Sequence, residues 1–241
     1  MARSSASRRA RSLTRSEARS LIVLRERIVE CCACPRLVDW RTQVAAEKRA
    51  SFRDWEYWGR PLPGFGDPAA RVLVCGLAPA AHGGNRTGRI FTGDRSGDWL
   101  YAALHRAGYA NQPTSVHRDD GLRLSDCYVT ACVRCAPPDN RPEPEERDRC
   151  LSFLAEELRL LGGVQVIVCL GAFAWDGVLR TLRGLGHTVA RRPTFTHGAS
   201  AVVGPYTLLG SYHPSQRNTF TGTLNEPMFD AVFARARALV G

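Results

Sequence analysis

The chain has 241 residues, enough at roughly 100–200 per domain for one large domain or a domain with an extension. Hydrophobic residues make up 44% and charged residues 23%, and the longest apolar stretch, Val164 to Trp175, falls short of the ~20 residues a transmembrane helix needs. Collagen, coiled-coil and membrane-spanning classes are thereby excluded, and a formal net charge of +10 points to a polyanionic partner.

Residues 1–19 hold six arginines (Arg3, Arg8, Arg9, Arg11, Arg15, Arg19) against Glu17, with no apolar run before Leu13. This Ser/Arg/Ala-rich stretch reads as a basic, disordered tail: either an arm for nucleic acid or a plainly solvated end. It also shares the Arg/Ser-rich, acid-poor composition of a mitochondrial presequence. No signal-peptide hydrophobic region follows, so a secreted protein is not expected. Of 33 basic residues only Lys48 is a lysine. Arginine stays protonated and is a poor nucleophile, so an amine-nucleophile mechanism would have to use Lys48 or the terminal amine.

Apolar spacing from Leu13 to Val29 predicts a helix with Leu21, Leu24, Ile28 and Val29 on one face. The cysteine cluster ends it and Pro35 follows. Residues 52–68, rich in Trp, Gly and Pro, predict an ordered loop. Arg71 to Gly76 is a short buried strand running into a long Gly-rich loop that lasts to Asp94. A helix is expected from Ser96 through Ala107. Cys127 to Val133 is β-rich, and Pro137-Pro138 ends it. The acidic, proline-started segment at Glu143-Pro144 opens a helix to about Leu161. Val164 to Leu170 is a continuous β-branched run, suited to a strand buried on both faces. A helix follows Gly171, Tyr206 to Ser211 is the last strand, and Glu226 to Val240 a closing helix.

Strands alternating with helices imply an α/β fold: a three-layer α/β/α sandwich around a short, mostly parallel central sheet, one domain over residues 20–241. Ligands in such sheets sit beyond the carboxyl ends of the strands. The Gly-rich loop after Val74, the segment around Cys135 and His213-Pro-Ser all leave such ends, and they should meet at one cleft.

Nine cysteines, an odd number, argue against a complete disulfide set. Cys75 and Cys169 lie in strand-like runs and read as buried small hydrophobes. Cys31-x2-Cys34 with Cys135-x14-Cys150 offers four thiolates able to close a zinc site or an iron–sulfur cluster, and spacing does not choose between the metals. Cys31 is preferred over Cys32 as the partner of Cys34, because two-residue spacing lets both sulfurs reach one centre around a turn. Cys127 and Cys132 should point elsewhere. The Gly76 loop lacks both the Gly-Lys-Ser/Thr ending of a P-loop and a Rossmann spacing, so no nucleotide cofactor is expected. His213, held by Pro214 at a strand's carboxyl end, is placed to donate a hydrogen bond into the cleft, and His82 offers a second imidazole. No Gly-x-Ser-x-Gly elbow accompanies Ser215, which speaks against a serine hydrolase.

Taken together, Cys31-x2-Cys34-Pro-Arg-Leu37, Gly76-Leu-Ala-Pro-Ala-Ala-His-Gly83, Asn85-Arg-Thr-Gly-Arg-Ile-Phe-Thr-Gly-Asp94, Val133-Arg-Cys-Ala-Pro-Pro138 and His213-Pro-Ser-x2-Asn218 resemble the type-5 uracil-DNA glycosylases, an iron–sulfur branch of the superfamily. The resemblance spans roughly residues 28–240. It implies a structural [4Fe–4S] cluster on Cys31, Cys34, Cys135 and Cys150. It implies hydrolysis of the N-glycosidic bond of uracil, hypoxanthine and related deaminated bases, chiefly in double-stranded DNA, by a cytoplasmic, nucleoid-associated enzyme. By the same resemblance Phe91 would stack on the flipped base, and backbone groups of Gly76, Leu77 and Ala78 would hold its edge. His213 is assigned the donor that stabilises charge on the departing base.

Two departures from relatives are expected to matter. Leu77-Ala-Pro-Ala-Ala81 carries no Asp, Glu or Asn to position water, leaving Asn85 and Asp94 as candidates. Ala131 stands where many relatives place a base-reading asparagine, which would loosen selectivity for uracil. Because Lys48 lies outside every motif, the enzyme is expected to be monofunctional. The rival readings are a covalent uracil-DNA-binding relative and a noncatalytic nucleic-acid-binding module with structural zinc.

Overall fold

The computed structural model describes residues 15–189 and 192–241. Most of the basic tail therefore lies outside the described residues, and its last part, from Arg15, belongs to the first helix. The helices are α1 (Arg15–Val29), α2 (Pro35–Glu47), the single turn α3 (Gly84–Thr87), α4 (Arg95–Arg106), α5 (Pro144–Leu160), α6 (Ala172–Gly184), α7 (Gln216–Phe220) and α8 (Glu226–Val240). The strands are β1 (Phe65–Gly66), β2 (Val72–Gly76), β3 (Cys127–Ala131), β4 (Val166–Leu170), β5 (Ser200–Val203) and β6 (Tyr206–Ser211).

The strands form one sheet in the order β1-β3-β2-β4-β6-β5. Its four central members run parallel, with Val74 opposite both Val129 and Val168 and Ile167 opposite Leu208. The short edge strands β1 and β5 are antiparallel. Every residue of β2, β3 and β4 is buried. Side chains alternate between two faces that are both covered, so these runs are apolar apart from Thr130, whose Oγ1 donates to the buried Glu157 at 2.8 Å. Val72, Val74, Val129, Val166 and Val168 face one core with Leu100 and Leu104 of α4 and Phe229, Val232 and Phe233 of α8. Leu73, Cys75, Ile167 and Cys169 face the other, filled by Leu24 and Ile28 of α1, Leu154 and Leu158 of α5, and Trp175 and Val178 of α6. This is the expected three-layer sandwich.

The short elements β1, α3 and α7 lie in segments expected to be loops, and two further elements were not expected. Helix α2 buries Leu37, Arg41 and Val44. An arginine on the inward stripe interrupts the apolar periodicity by which a helix is recognised. Strand β5 is a short edge with Val202 almost fully exposed, so no buried alternation marks it. Elsewhere α4 starts at Arg95 because Asp94 caps it, its Oδ1 accepting the Gly97 N–H at 3.0 Å. At α5 the Glu146 carboxylate accepts the Glu143 N–H at 2.7 Å behind Pro144.

Candidate active site

The parallel strands β2, β3, β4 and β6 all deliver their carboxyl ends to one side of the sheet. There a cleft of about 540 Å³ is lined by Leu77, Ala78, Phe91, Asp94, Asn140 and His213, among others. Gly76 closes β2 beneath it. A Cβ on Gly76 would come within 2.5 Å of Phe91 Cζ, so only glycine lets the phenylalanine ring lie against the strand end.

Phe91 sits in the left-handed region at φ 51°, a strained conformation for a bulky residue that its surroundings must enforce. Tyr101 Oη donates to the Ile90 carbonyl at 2.9 Å, and Thr87 Oγ1 to the Thr92 carbonyl at 3.1 Å. Arg86 Nη2 donates to Gly93 O at 2.8 Å and Nε to His82 O at 2.7 Å, with its guanidinium 3.8 Å and 4.1 Å from the ring centroids of Phe52 and Trp55. The Trp-rich segment thus buttresses the loop that aims Phe91.

His213 follows β6 directly, and its ring centroid lies 5.9 Å from that of Phe91. Asn218 Nδ2 donates to its carbonyl at 2.9 Å, and the preceding Tyr212 N–H donates to His197 Nδ1 at 3.2 Å. The backbone on both sides of the histidine is therefore tied down. Among the described residues the His213 ring nitrogens have no hydrogen-bond partner, which leaves them to a ligand. Burial lowers its pKa to about 4, so the imidazole is neutral at pH 7. Ser215 is occupied as the cap of α7, its Oγ accepting the Asn218 N–H.

Asp94 lies in the same cleft. Burial raises its carboxyl pKa, opposed by the N–H groups at the start of α4. Asn85 does not join it: the side chain is fully buried and its Nδ2 donates to Arg41 O at 3.1 Å. His82 is also turned aside, its Nδ1 3.1 Å from Tyr57 Oη. Asn140 reaches the cleft although no motif singled it out. It follows Asp139 as the second of two successive left-handed residues after Pro137-Pro138, at φ 52° and 55°. That Pro-Pro-Asp-Asn turn is the signal in the sequence that could have found it.

The cysteines separate into two groups. Cys135 and Cys150 are buried with Leu37 and Val133 in a small cluster that Cys34 joins. Burial raises the thiol pKa of Cys135 to about 12, against the nearby Arg41, and that of Cys150 to about 11, against Arg134. Cys31 and Cys34 act on both as neighbouring thiols, whereas Cys32 is exposed and turned toward the Glu30 carbonyl. Arg36, beside Cys34, forks onto Glu146 at 2.9 Å and 2.7 Å and ties α2 to α5. Among the described residues no three His, Cys, Asp or Glu side chains are gathered closely enough to hold a single metal ion. Cys75 and Cys132 lie elsewhere, sulfur to sulfur at 3.6 Å in the core behind the cleft, and Cys127 and Cys169 are buried apolar packing.

A glycine-floored cleft at the carboxyl edge of a parallel sheet, with an aromatic ring facing a neutral histidine, suits a planar base. Residues 63–237 match the family described as the Uracil DNA glycosylase superfamily. The chain is 54% identical over 224 residues to a type-5 uracil-DNA glycosylase of Mycobacterium bovis, covering 92% of this chain and 82% of the relative. Identity to the type-5 uracil-DNA glycosylase of Thermus thermophilus is 50% over 217 residues, 89% of this chain and 95% of the relative. A type-4 uracil-DNA glycosylase of Thermotoga maritima is 32% identical over 153 residues, 63% of this chain and 62% of that protein. The chain belongs to the type-5 uracil-DNA glycosylases. No described helix is long and apolar enough to cross a membrane.

Proposed function

We propose that this enzyme hydrolyses the N-glycosidic bond between deoxyribose and uracil, and likewise hypoxanthine and related deaminated bases, in double-stranded DNA. The observation that carries this reading is the pairing of Phe91 and His213 above Gly76 at the floor of the cleft. A base that has left the stack enters beside Phe91 and meets the backbone of Gly76, Leu77 and Ala78. Cleavage of the C–N bond puts negative charge on the departing base and positive charge on the sugar. The neutral His213 imidazole donates an N–H to the former, and Asp94 balances the latter. Of the polar side chains lining the cleft, Asp94 and Asn140 are assigned the attacking water, and Asn85, buried on Arg41, is not among them.

The substrate range follows from Ala131. It is fully buried at the end of β3, opposite Gly76, and carries a methyl group where the resemblance places a base-reading amide. A pocket that holds the base by backbone groups and a histidine, with no side-chain amide reading one base edge, discriminates weakly between bases. Lys48 donates its Nζ to Arg53 O at 3.2 Å, away from the cleft lining, so among the described residues no amine is offered to the sugar and the strand is left intact at an abasic site. Arginines at the cleft, Arg95 and Arg217 among them, meet the phosphate backbone.

Cys31, Cys34, Cys135 and Cys150 would hold a [4Fe–4S] cluster. The donor set fits: four thiols from the α1–α2 junction, the loop after β3 and α5, with Arg41, Arg134 and Arg149 around them. The cluster supplies structural closure of those segments and no chemistry at the base. A labelled duplex with one U opposite G, beside hypoxanthine and undamaged duplexes, tests the reading. Both damaged strands are cut only after alkali. Breaks without alkali that borohydride traps would overturn the monofunctional assignment, and inertness of iron-loaded, DNA-binding protein would overturn the catalytic one.

A further inference from the structure

Among the described residues the buried arginines have evident partners, with one exception. Arg134 is bridged to Glu157 at 2.6 Å and Arg89 to Asp120 at 2.6 Å. Arg86 lies between the rings of Phe52 and Trp55. Arg41 is 5% exposed and has neither a carboxylate nor an aromatic face among the described residues. Its Nη1 donates to Gly59 O at 3.1 Å, its Nη2 to Cys31 O at 3.4 Å and lies 3.9 Å from Cys32 Sγ, and its Nε has no partner at all. A buried guanidinium held only by carbonyls carries an uncompensated charge, which an interior tolerates only if an anion stands near. The side that Arg41 faces is the one where Cys31 and Cys135 lie.

We propose that Arg41 is the buried counter-cation of the four-thiolate cluster, neutralising its negative charge from the inward face of α2. This rests on the cluster reading above. Four thiolates on an iron–sulfur core leave a net negative charge, and nearby positive charge favours both its retention and its reduction. The exposed Arg149, which donates to Cys34 Sγ at 3.5 Å, adds to the field from the solvent side, where water screens it. The proposal also explains why a helix facing the core spends an inward position on arginine.

The test uses the full-length protein purified without oxygen as wild type, Arg41→Gln and Arg41→Lys. Iron and acid-labile sulfide per chain, the rate of bleaching by an iron chelator, and the midpoint potential are measured for each. Arg41→Gln is expected to bleach several-fold faster and to shift the potential to more negative values, with Arg41→Lys close to wild type. If Arg41→Gln fails to accumulate while Arg41→Lys is loaded with a wild-type potential, the charge is again what matters. An unchanged Arg41→Gln overturns the proposal, as does Arg41→Lys behaving no better than Arg41→Gln, insolubility of both included. Wild-type protein without iron and sulfide overturns the cluster reading and this inference with it.

Discussion

Gly76→Ala tests how the Phe91 ring, proposed above to stack on the base, is held. The added methyl would stand 2.5 Å from Phe91 Cζ and 2.6 Å from Cε2, where carbon atoms rest at about 3.5–4.0 Å, so the ring must move by roughly 1 Å. Retreat is blocked, because the Phe91 carbonyl is packed against Gly97 so closely that no Cβ fits there. Rotation toward His213, into the space meant for the base, is the remaining direction. Overpacking of this kind costs about 1–3 kcal/mol of stability, a melting temperature lower by roughly 2–12 °C for a chain of this size. Base–aromatic stacking is worth about 1–3 kcal/mol, so its loss should lower kcat/KM by roughly five- to 150-fold. The assay is excision from a U·G duplex well below the melting temperature, with melting measured in the same buffer. Full activity in a variant shown to fold would refute the placement of Phe91, and so would a loss no larger than its unfolded fraction.

The His213 imidazole, observed by NMR, should titrate near pH 4 because burial penalises its charged form. The unfolded chain binds that proton at about 6.5, so this group's contribution to stability is fully present above pH 6.5 and is lost as pH falls toward 4. A midpoint near 6.5 would contradict the neutral-donor role, and His213→Ala should lower the cleavage rate far more than DNA affinity. Glu157→Gln should cost about 3–5 kcal/mol, or roughly 6–20 °C of melting temperature, because it leaves Arg134 buried and unpaired. The double variant Arg134→Met/Glu157→Leu should recover most of that loss, and a single variant within about 2 °C of wild type would show the pair to be dispensable. Cys135→Ser should reduce iron content and soluble yield before it affects the intrinsic cleavage rate, and full yield with unchanged iron would remove Cys135 from the ligand set.

Local chemistry made the layers legible. The β-branched run from Val164 to Leu170 suits a strand buried on both faces, which the structure places at Val166–Leu170, and Pro144 after Glu143 marks the start of α5. Helix α2 stayed hidden because Arg41 breaks its apolar stripe, and the reason for that arginine lies in another segment. The site was readable to a similar depth. Gly76, Phe91 and His213, picked out by local pattern, do line or floor one cleft, whereas Asn140 reaches it only through two left-handed residues that no periodicity marks.

The amino-acid sequence by itself determined most of the order of strands and helices, the thiol donors of Cys31, Cys34, Cys135 and Cys150, and the basic charge, because each rests on residue type and near-neighbour spacing. Tertiary structure decided which side chains meet. Phe91 and His213 are 122 positions apart and share one cleft because β2 and β6 lie one strand apart in a parallel sheet, on either side of β4, with their ends aligned. The same packing removed Asn85 to the Arg41 carbonyl and kept Asp94 at the mouth. Two polar residues nine positions apart in one motif could not be told apart until packing turned one of them onto a backbone carbonyl away from the cleft and set the other, as the cap of α4, in the cleft lining.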